Sequence, residues 1–434
     1  MFQKLIKRFD AVAALQLFQL LRYGTLILLG ICFAKIGVPK SSIASLENLI
    51  FISGLVSFFW VNSYIQLLLS EYPTFDDVEK KKSIFRYFIT FQLFSAIAAV
   101  AIYFWTDSDY SSTIAFFVLF NTPSLLNEYI LYLNERKKSL LAYGILSSAL
   151  LVLTSIGLII VIVLVFNEPI KKCFGVTLLV FVFVAFLRWL YSLFLLFRFS
   201  SPDFSIVENT KWSTLFILVT GFLLSGSSEY ITGWFVKHFA DASAFTTFRY
   251  GTKEMPLFTL LAATLSNSMI SVIAADEKSG IVLLKKKALQ QMHLFFPLAI
   301  VLTLVAPLLF KYVFSEAFYE SGKLFSFTML LTIPRLLFPQ PIFHAKGAQQ
   351  WLTFAMCCEI CVLLILSYIG FQLWGLNGLI AAIIVSFLTE KLVLITVLSI
   401  KYSIPISNYL SVKWFIVYSG FLLSAFFLTF IIYS

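Results

Sequence analysis

Long apolar runs separated by short polar segments follow one another along almost the whole chain. They lie at about 12–34, 43–69, 85–106, 112–134, 140–166, 173–198, 212–236, 244–275, 290–314, 323–344, 351–374, 377–399 and 414–432. A hydrocarbon core about 30 Å thick takes roughly 20 apolar residues per helix, so each run is long enough to cross a membrane. The pattern predicts an all-α polytopic membrane protein with 12–13 transmembrane helices.

The composition agrees with this interpretation. Of the 434 residues, 60% are hydrophobic and only 12% are charged, against roughly 25% charged in soluble domains. The formal net charge of +10 is spread over the loops, whereas a nucleic-acid-binding protein collects basic residues on one soluble face. We therefore expect membrane lipids around the chain and no nucleic acid partner.

The distribution of basic residues predicts the orientation, because short cytoplasmic loops are enriched in Lys and Arg. With the N-terminus in the cytoplasm, nineteen of the 32 basic residues lie in cytoplasmic segments, seven lie outside and six lie within spans. The reverse orientation inverts this ratio. The sequence thus predicts a multi-pass membrane protein with a cytoplasmic N-terminus.

Connection lengths suggest an internal repeat. The two longest connections, Ser70 to Phe85 and Asp276 to Gln290, each follow the second helix of a six-helix block, if blocks begin near 12 and 212. Matching halves of this kind are common in transporters. We expect an N-terminal six-helix lobe over 1–200, a C-terminal six-helix lobe over 201–400 and an additional transmembrane helix over 401–434.

Several ionisable or amide side chains fall inside the predicted spans, where a charge costs roughly 2.5 to 3.5 kcal/mol on insertion scales. Such groups normally face a bundle interior or a wet cavity. The cations that we assign to a cavity are Arg22, Arg249, Lys253 and Arg335. The polar residues that we expect to line or gate it are Gln19, Asn121, Glu128 and Glu229.

The cavity cations outnumber the obvious partners on their own helices, which indicates an anionic cargo. Guanidinium suits phosphate because it can donate two parallel hydrogen bonds. The alternative stays open for each charge: an ion pair that only holds helices together. We also consider it for Arg188, Glu359, Glu390 and Lys391, of which Glu390 and Lys391 lie near a membrane face.

Other chemistry is missing from the sequence. There is no G-x-x-x-x-G-K-[ST] phosphate loop, so transport would run on an ion gradient (H⁺ or Na⁺), the membrane potential or the substrate gradient. The five cysteines and three histidines lack metal-ligand spacing. Asp107-Ser108-Asp109 is interpreted as a surface turn. We expect no cofactor, no metal and no catalytic residues, and therefore a transporter instead of an enzyme.

Four segments carry a family resemblance over roughly residues 1 to 400. They are the polar face around Arg22, the run Glu128-Tyr129-Ile130-Leu131-Tyr132-Leu133 followed by Arg136-Lys137-Lys138, the segment Phe248-Arg249-Tyr250-Gly251-Thr252-Lys253-Glu254-Met255-Pro256-Leu257, and the turn Trp374-Gly375-Leu376-Asn377-Gly378-Leu379. In these the chain resembles the polysaccharide transporter branch of the multidrug, oligosaccharidyl-lipid and polysaccharide flippase superfamily. It is most similar to O-antigen and capsule repeat-unit flippases.

The resemblance implies two six-helix lobes around a central cavity. It also implies a place in the bacterial inner membrane and a cargo of undecaprenyl pyrophosphate carrying a short oligosaccharide, moved from the inner to the outer leaflet by alternating access. Relatives hold the pyrophosphate with basic residues on helices that include the first and the eighth, which Arg22 and Arg249 match, with Lys253 as a helper. Some relatives use an arginine on the second helix, where this chain has Glu47, and the thirteenth helix departs from a twelve-helix plan.

Two other functions remain open from the sequence. A multidrug exporter of the same superfamily would centre on acidic residues for cationic drugs. A membrane-embedded glycan transferase or polymerase would usually need a longer extracytoplasmic loop with clustered catalytic residues, and the outer loops here are short.

Overall fold

The computed structural model describes residues 11–72, 75–105, 110–166, 170–200, 212–253 and 256–433. Within these ranges the chain is helical, with no β-strand. Nine of the described helices are long and apolar enough to cross a membrane, and ten if the bent helix at 215–239 is one span. The prediction of an all-α polytopic membrane protein is confirmed. Asp107-Ser108-Asp109, Glu254, Met255, the basic residues of the first ten positions and Lys211 lie outside the described residues.

The chain divides into two compact units, Met1–Gly226 and Ser227–Ser434. The first unit contains α1 (Ala11–Ile36), α2 (Lys40–Glu71), α3 (Asp77–Trp105), α4 (Ser111–Ser124), α5 (Leu126–Leu133), α6 (Lys137–Phe166), α7 (Ile170–Phe199) and the first part of α8 (Trp212–Phe239). Pro123 interrupts the fourth span, so α4 and α5 together form one crossing, Ser111–Leu133. Apolar side chains from α1 to α3 and α5 to α7 pack into the core of this unit.

The second unit contains the rest of α8 and nine further helices. They are α9 (Ala242–Gly251), α10 (Pro256–Ala275), α11 (Glu277–Val313), α12 (Tyr319–Thr328), α13 (Thr332–Arg335), α14 (Gln340–Ala345), α15 (Gln349–Lys401), α16 (Ile406–Tyr409) and α17 (Val412–Tyr433). Two more runs predicted as continuous spans are broken in this unit. Run 244–275 is divided between α9 and α10, and run 323–344 contains α12 to α14, where Pro334, Pro339 and Pro341 interrupt the backbone ladder.

Helix α15 is a hairpin of two spans. Its 53 residues would reach about 80 Å as a straight helix, more than twice the hydrocarbon thickness. Gly375 breaks it with φ 57° and ψ −133°, values that favour glycine. The two halves run back along each other, because Lys401 Nζ lies 4.7 Å from the ring centre of Trp351. The separate predictions 351–374 and 377–399 therefore match the two arms.

Close backbone contact tightens this hairpin. A Cβ added to Gly370 would lie 2.7 Å from the carbonyl oxygen of Gly378, and one added to Gly378 would overlap the carbonyl of Gly370. Only glycine fits at both positions without a shift of the backbone. The segment Trp374 to Leu379, singled out from sequence as a turn, is thus the point of reversal.

Most of each of the two long predicted connections is helical in the structure, so the helices extend beyond the apolar runs. Asp76 Oδ1 accepts from the backbone N–H of Val78 (2.9 Å) and Glu79 (2.7 Å), and Glu79 Oε2 accepts from the Asp76 N–H. This capping box starts α3. Asp276 similarly caps α11 by accepting from the N–H groups of Lys278 and Ser279. Both helices begin well before their apolar runs, since the cap and not hydropathy sets the start.

Contacts between helix ends in the second unit fit the predicted order of crossings. Lys346 pairs with Glu277 at 2.7 Å, and Lys285 Nζ donates to the Ser407 carbonyl at 2.6 Å. The sequence assigns all four to the cytoplasm. At the other ends a cavity of about 490 Å³ is lined by Lys323, Trp374, Asn377 and Tyr433, which the sequence assigns to the outside or to adjoining span ends. Which face is cytoplasmic stays a prediction.

Candidate functional site

Arg22 lies near the middle of α1 and is held by Glu128 of α5. Its Nη1 donates to Glu128 Oε1 at 2.9 Å. The arginine side chain is 46% exposed, whereas the glutamate side chain is 2% exposed. The carboxylate therefore fixes one edge of the guanidinium from behind, and much of the remaining surface of Arg22 is accessible. Gln19, one turn earlier on α1, hydrogen-bonds the Tyr129 hydroxyl beside this pair.

A buried polar network continues from Glu128 into the first unit. Arg188 of α7 donates from Nε to the Tyr143 hydroxyl (2.9 Å) and from Nη1 to Asn121 Oδ1 (3.3 Å). Asn127 Nδ2 donates to the same hydroxyl (3.1 Å) and to the Arg188 carbonyl oxygen (3.0 Å). Glu128 lies within electrostatic range of both arginines. Arg22 and Arg188 together carry one more charge than Glu128 neutralises, so the network is net positive. Arg22 is the accessible cation of this network.

The second unit contains a pair with the opposite arrangement. Arg249 Nη1 of α9 donates to Glu229 Oε1 of α8 at 2.9 Å. Here the arginine side chain is 11% exposed and the glutamate side chain is 62% exposed. Lys253, one turn after Arg249, places its Nζ 4.2 Å from the ring centre of Tyr250. The group that this pair presents is thus a carboxylate, with the cation behind it.

Arg335 belongs to a third cluster, next to the α15 hairpin. Its guanidinium lies 4.9 Å from the ring centre of Phe387. Lys391 pairs with Glu390 at 2.9 Å, and Gln340 donates to Glu390 at 3.0 Å. Glu359 on the opposite arm is buried within electrostatic range of Arg335, Lys391 and Glu390. Two cations and two carboxylates balance in this cluster, so helix-to-helix attraction accounts for them.

The structure therefore sorts the eight residues that the sequence singled out. Gln19, Arg22, Asn121 and Glu128 come together in the first unit. Glu229 and Arg249 come together in the second, Lys253 lies against Tyr250 one turn after Arg249, and Arg335 lies in its own cluster. The sequence argument looked for partners on the same helix, whereas Arg22 and Arg249 find theirs on neighbouring helices.

Sequence reasoning missed Tyr143 and Asn127. Tyr143 lies near the start of an apolar run, a place typical of interfacial aromatics, and Asn127 sits beside the more conspicuous Glu128. The available signal was that Asn127 is an amide at the same depth as Glu128. Among the described residues no group of three or more His, Cys, Asp or Glu could hold a metal ion.

Comparison with solved structures identifies the fold. The lipid II flippase MurJ in an inward closed conformation superposes with a TM-score of 0.63 and 17% identity, covering 96% of this chain and 92% of that one. A mutant of the Vibrio cholerae MATE transporter VcmN gives a TM-score of 0.55 and 13% identity over 89% and 95%. A Pyrococcus furiosus MOP superfamily transporter, described by the reverse polarity of its binding pocket, gives 0.52 and 13% over 92% and 97%.

No family model and no curated protein sequence matches the chain. The structural likeness extends over about nine-tenths of the chain and of each of these neighbours, so it includes helices of both units. At these identities it establishes the fold and leaves the cargo open. The chain has the fold of the flippases and exporters of the multidrug, oligosaccharidyl-lipid and polysaccharide superfamily.

Proposed function

We propose that the chain is a flippase for undecaprenyl-pyrophosphate-linked oligosaccharide repeat units. It moves them from the inner to the outer leaflet of the bacterial inner membrane by alternating access of two lobes, for O-antigen, capsule or exopolysaccharide synthesis. The observation that supports this most is Arg22, an accessible cation near the middle of a membrane span. An accessible charge at that depth faces water or a ligand, since exposure to lipid tails is too costly.

Arg22 suits a pyrophosphate for geometric reasons. Glu128 binds one edge of the guanidinium, which limits its motion and leaves donors for a second anion. The two arginines around Glu128 keep the local charge positive, so the carboxylate does not cancel the attraction. The lipid tail stays in the bilayer, and the cation stabilises the phosphates during the crossing.

The energy for transport does not come from ATP hydrolysis by this chain, because its sequence has no phosphate-binding loop. A coupling ion, H⁺ or Na⁺, or the membrane potential drives the exchange between inward-open and outward-open forms. The likeness to a lipid II flippase supports a lipid-linked cargo, and the cytoplasmic N-terminus follows from the charge distribution.

The test is export by single-arginine variants. Arg22→Ala should lower flipping of lipid-linked oligosaccharide in proteoliposomes, and surface glycan in cells, by about tenfold or more, because one charge-assisted contact is lost. Arg22→Lys should keep part of the activity. Arg136→Ala removes the same side chain from an exposed position outside the spans and serves as the matched control. Normal flipping by Arg22→Ala at normal protein level contradicts the proposal.

A multidrug exporter is the second candidate, and Glu229 is the observation that favours it, because cationic drugs bind accessible carboxylates. An exporter would leave surface glycan unchanged when deleted, and its loss would lower the cell's resistance to cationic dyes. A membrane-embedded transferase or polymerase draws support from no cluster among the described residues. Neighbouring genes for glycosyltransferases and nucleotide-sugar enzymes would favour the flippase.

A further inference from the structure

The two arginine–glutamate pairs present opposite charges. In the first unit the arginine is accessible over a buried glutamate, and in the second the glutamate is accessible over an arginine that is 11% exposed. The N–O distance is 2.9 Å in both. The same two residue types therefore provide a donor surface in one unit and an acceptor surface in the other.

The exposed Glu229 side chain lies at a depth that favours contact with water or a ligand over contact with lipid tails. It lies about one turn past the midpoint of α8 (Trp212–Phe239), a depth at which an exposed carboxylate cannot face lipid tails. Its Oε1 accepts from Arg249, and the high exposure of the side chain leaves acceptor positions for a ligand. Because Arg249 sits behind it, the pair carries no net charge.

The absence of net charge on the Glu229–Arg249 pair indicates which class of ligand it can bind. An unpaired carboxylate at this depth would repel a pyrophosphate cargo and attract a cation. A carboxylate neutralised by its own arginine repels little and still accepts hydrogen bonds, and hydroxyl groups are the donors that an oligosaccharide has in quantity.

We propose that Glu229 accepts hydrogen bonds from sugar hydroxyls of the glycan cargo and that Arg249 is the positioning residue that holds it. This inference rests on the proposed function. It moves Arg249 from the pyrophosphate contact, where the sequence placed it, to a supporting role, and it leaves the pyrophosphate to Arg22. Glu229 becomes a determinant of which repeat unit is accepted.

The experiment compares two probes on the purified full-length protein in nanodiscs. One is bare undecaprenyl pyrophosphate, and the other is the pyrophosphate-linked oligosaccharide pool extracted from the source bacterium. Glu229→Ala should weaken binding of the glycosylated probe about tenfold, the loss of one hydrogen bond to a charged group, and should not weaken binding of the bare probe. Glu316→Ala makes the same change at another exposed glutamate, which pairs with a lysine at 2.9 Å, and is the matched control.

A charge swap separates recognition from structure. The double variant Glu229→Arg with Arg249→Glu keeps an ion pair between α8 and α9 but presents the cation. It should bind the glycosylated probe as weakly as Glu229→Ala does. Recovery of wild-type binding by the swap would show that the pair only joins two helices, and this overturns the inference.

Two further results also overturn it. One is an equal loss of both probes in Glu229→Ala, which places the carboxylate in general binding. The other is that Glu229→Ala loses binding of a cationic dye, such as ethidium, while its binding of the glycosylated probe is unchanged. Failure of the proposed function itself is distinguishable: the wild-type protein would then bind neither lipid probe, and Arg22→Ala would change nothing.

Discussion

At the scale of single residues, the sequence indicates which side chains are costly in a membrane but not how each is neutralised. Periodicity places Gln19 and Arg22 on one side of α1, and the structure finds both beside α5. The partner of Arg22 lies 106 positions away, and no local pattern encodes that distance. The sequence also does not show how exposed each arginine side chain is. Arg22 is accessible and Arg249 is largely covered, because the two differ in how neighbouring helices pack around them.

Tyr143 gives a stability prediction at this scale. Its hydroxyl accepts from both Arg188 and Asn127, so Tyr143→Phe leaves two buried donors without that acceptor. We expect a loss of about 1–3 kcal/mol in the free energy of unfolding. Thermal unfolding in detergent measures it, with Tyr368→Phe, an exposed tyrosine on α15, as the control. Equal unfolding temperatures for the two variants would count against the network.

Asp276 gives a pH dependence. Hydrogen bonds from Ser279 first, and from the Lys278 backbone, hold the pKa of this exposed carboxyl below its usual 3.8. A depressed folded-state pKa contributes stability above the unfolded-state pKa, and this is lost as the pH falls through the folded-state value. Hydrogen exchange at the start of α11 should therefore speed up as the pH is lowered below about 4, after correction for intrinsic rates. Asp276→Asn should remove this pH dependence.

At the scale of elements, the apolar runs predict where the helices lie but do not predict the residues at which they begin. Hydropathy reports where lipid begins, whereas α3 and α11 start at the capping residues Asp76 and Asp276. These caps stand at corresponding places in the two halves, each followed by a run of three lysines, Lys80 to Lys82 and Lys285 to Lys287. The lysine run follows its cap after four residues in α3 and after nine in α11, so the internal repeat suggested by connection lengths stays a prediction.

The α15 hairpin gives a prediction at this scale. Gly378→Ala forces a Cβ into the carbonyl of Gly370, and the backbone must move to accept it. We expect a lower unfolding temperature and lower yield of the variant in membranes. Gly420→Ala on α17 is the control, since nothing lies within 4 Å of its added Cβ. A fully stable Gly378→Ala protein would mean that the arms can separate without cost.

At the scale of the whole molecule, the fold class follows from the composition and the lengths of the apolar runs, since no soluble fold could bury so much apolar surface. The two broken runs, 244–275 and 323–344, look continuous because hydropathy does not register the loss of a backbone hydrogen bond at proline. The division at Gly226 depends on long-range contacts and has no composition signal. The cargo depends on a few side chains and is the part least determined by pattern.

Sidedness is the prediction for the whole chain. In a background without the native cysteines, Lys346→Cys should react with a membrane-impermeant maleimide only from the cytoplasmic side, and Lys323→Cys only from outside. The assignment follows from the excess of basic residues in the segments joined to Lys346. Labelling of both positions from one side would contradict the order of crossings, and exchange of the two sides would invert the orientation.

The one-residue reversal at Gly375 also constrains how the protein is made. The arms of α15 are joined without a linker long enough for one to settle in the bilayer while the other waits in water. We therefore expect the translocation machinery to release the two arms into the bilayer together, already paired. A chain that ends just after Trp374 would carry a span whose companion never arrives, so quality-control proteases should recognise it during biosynthesis.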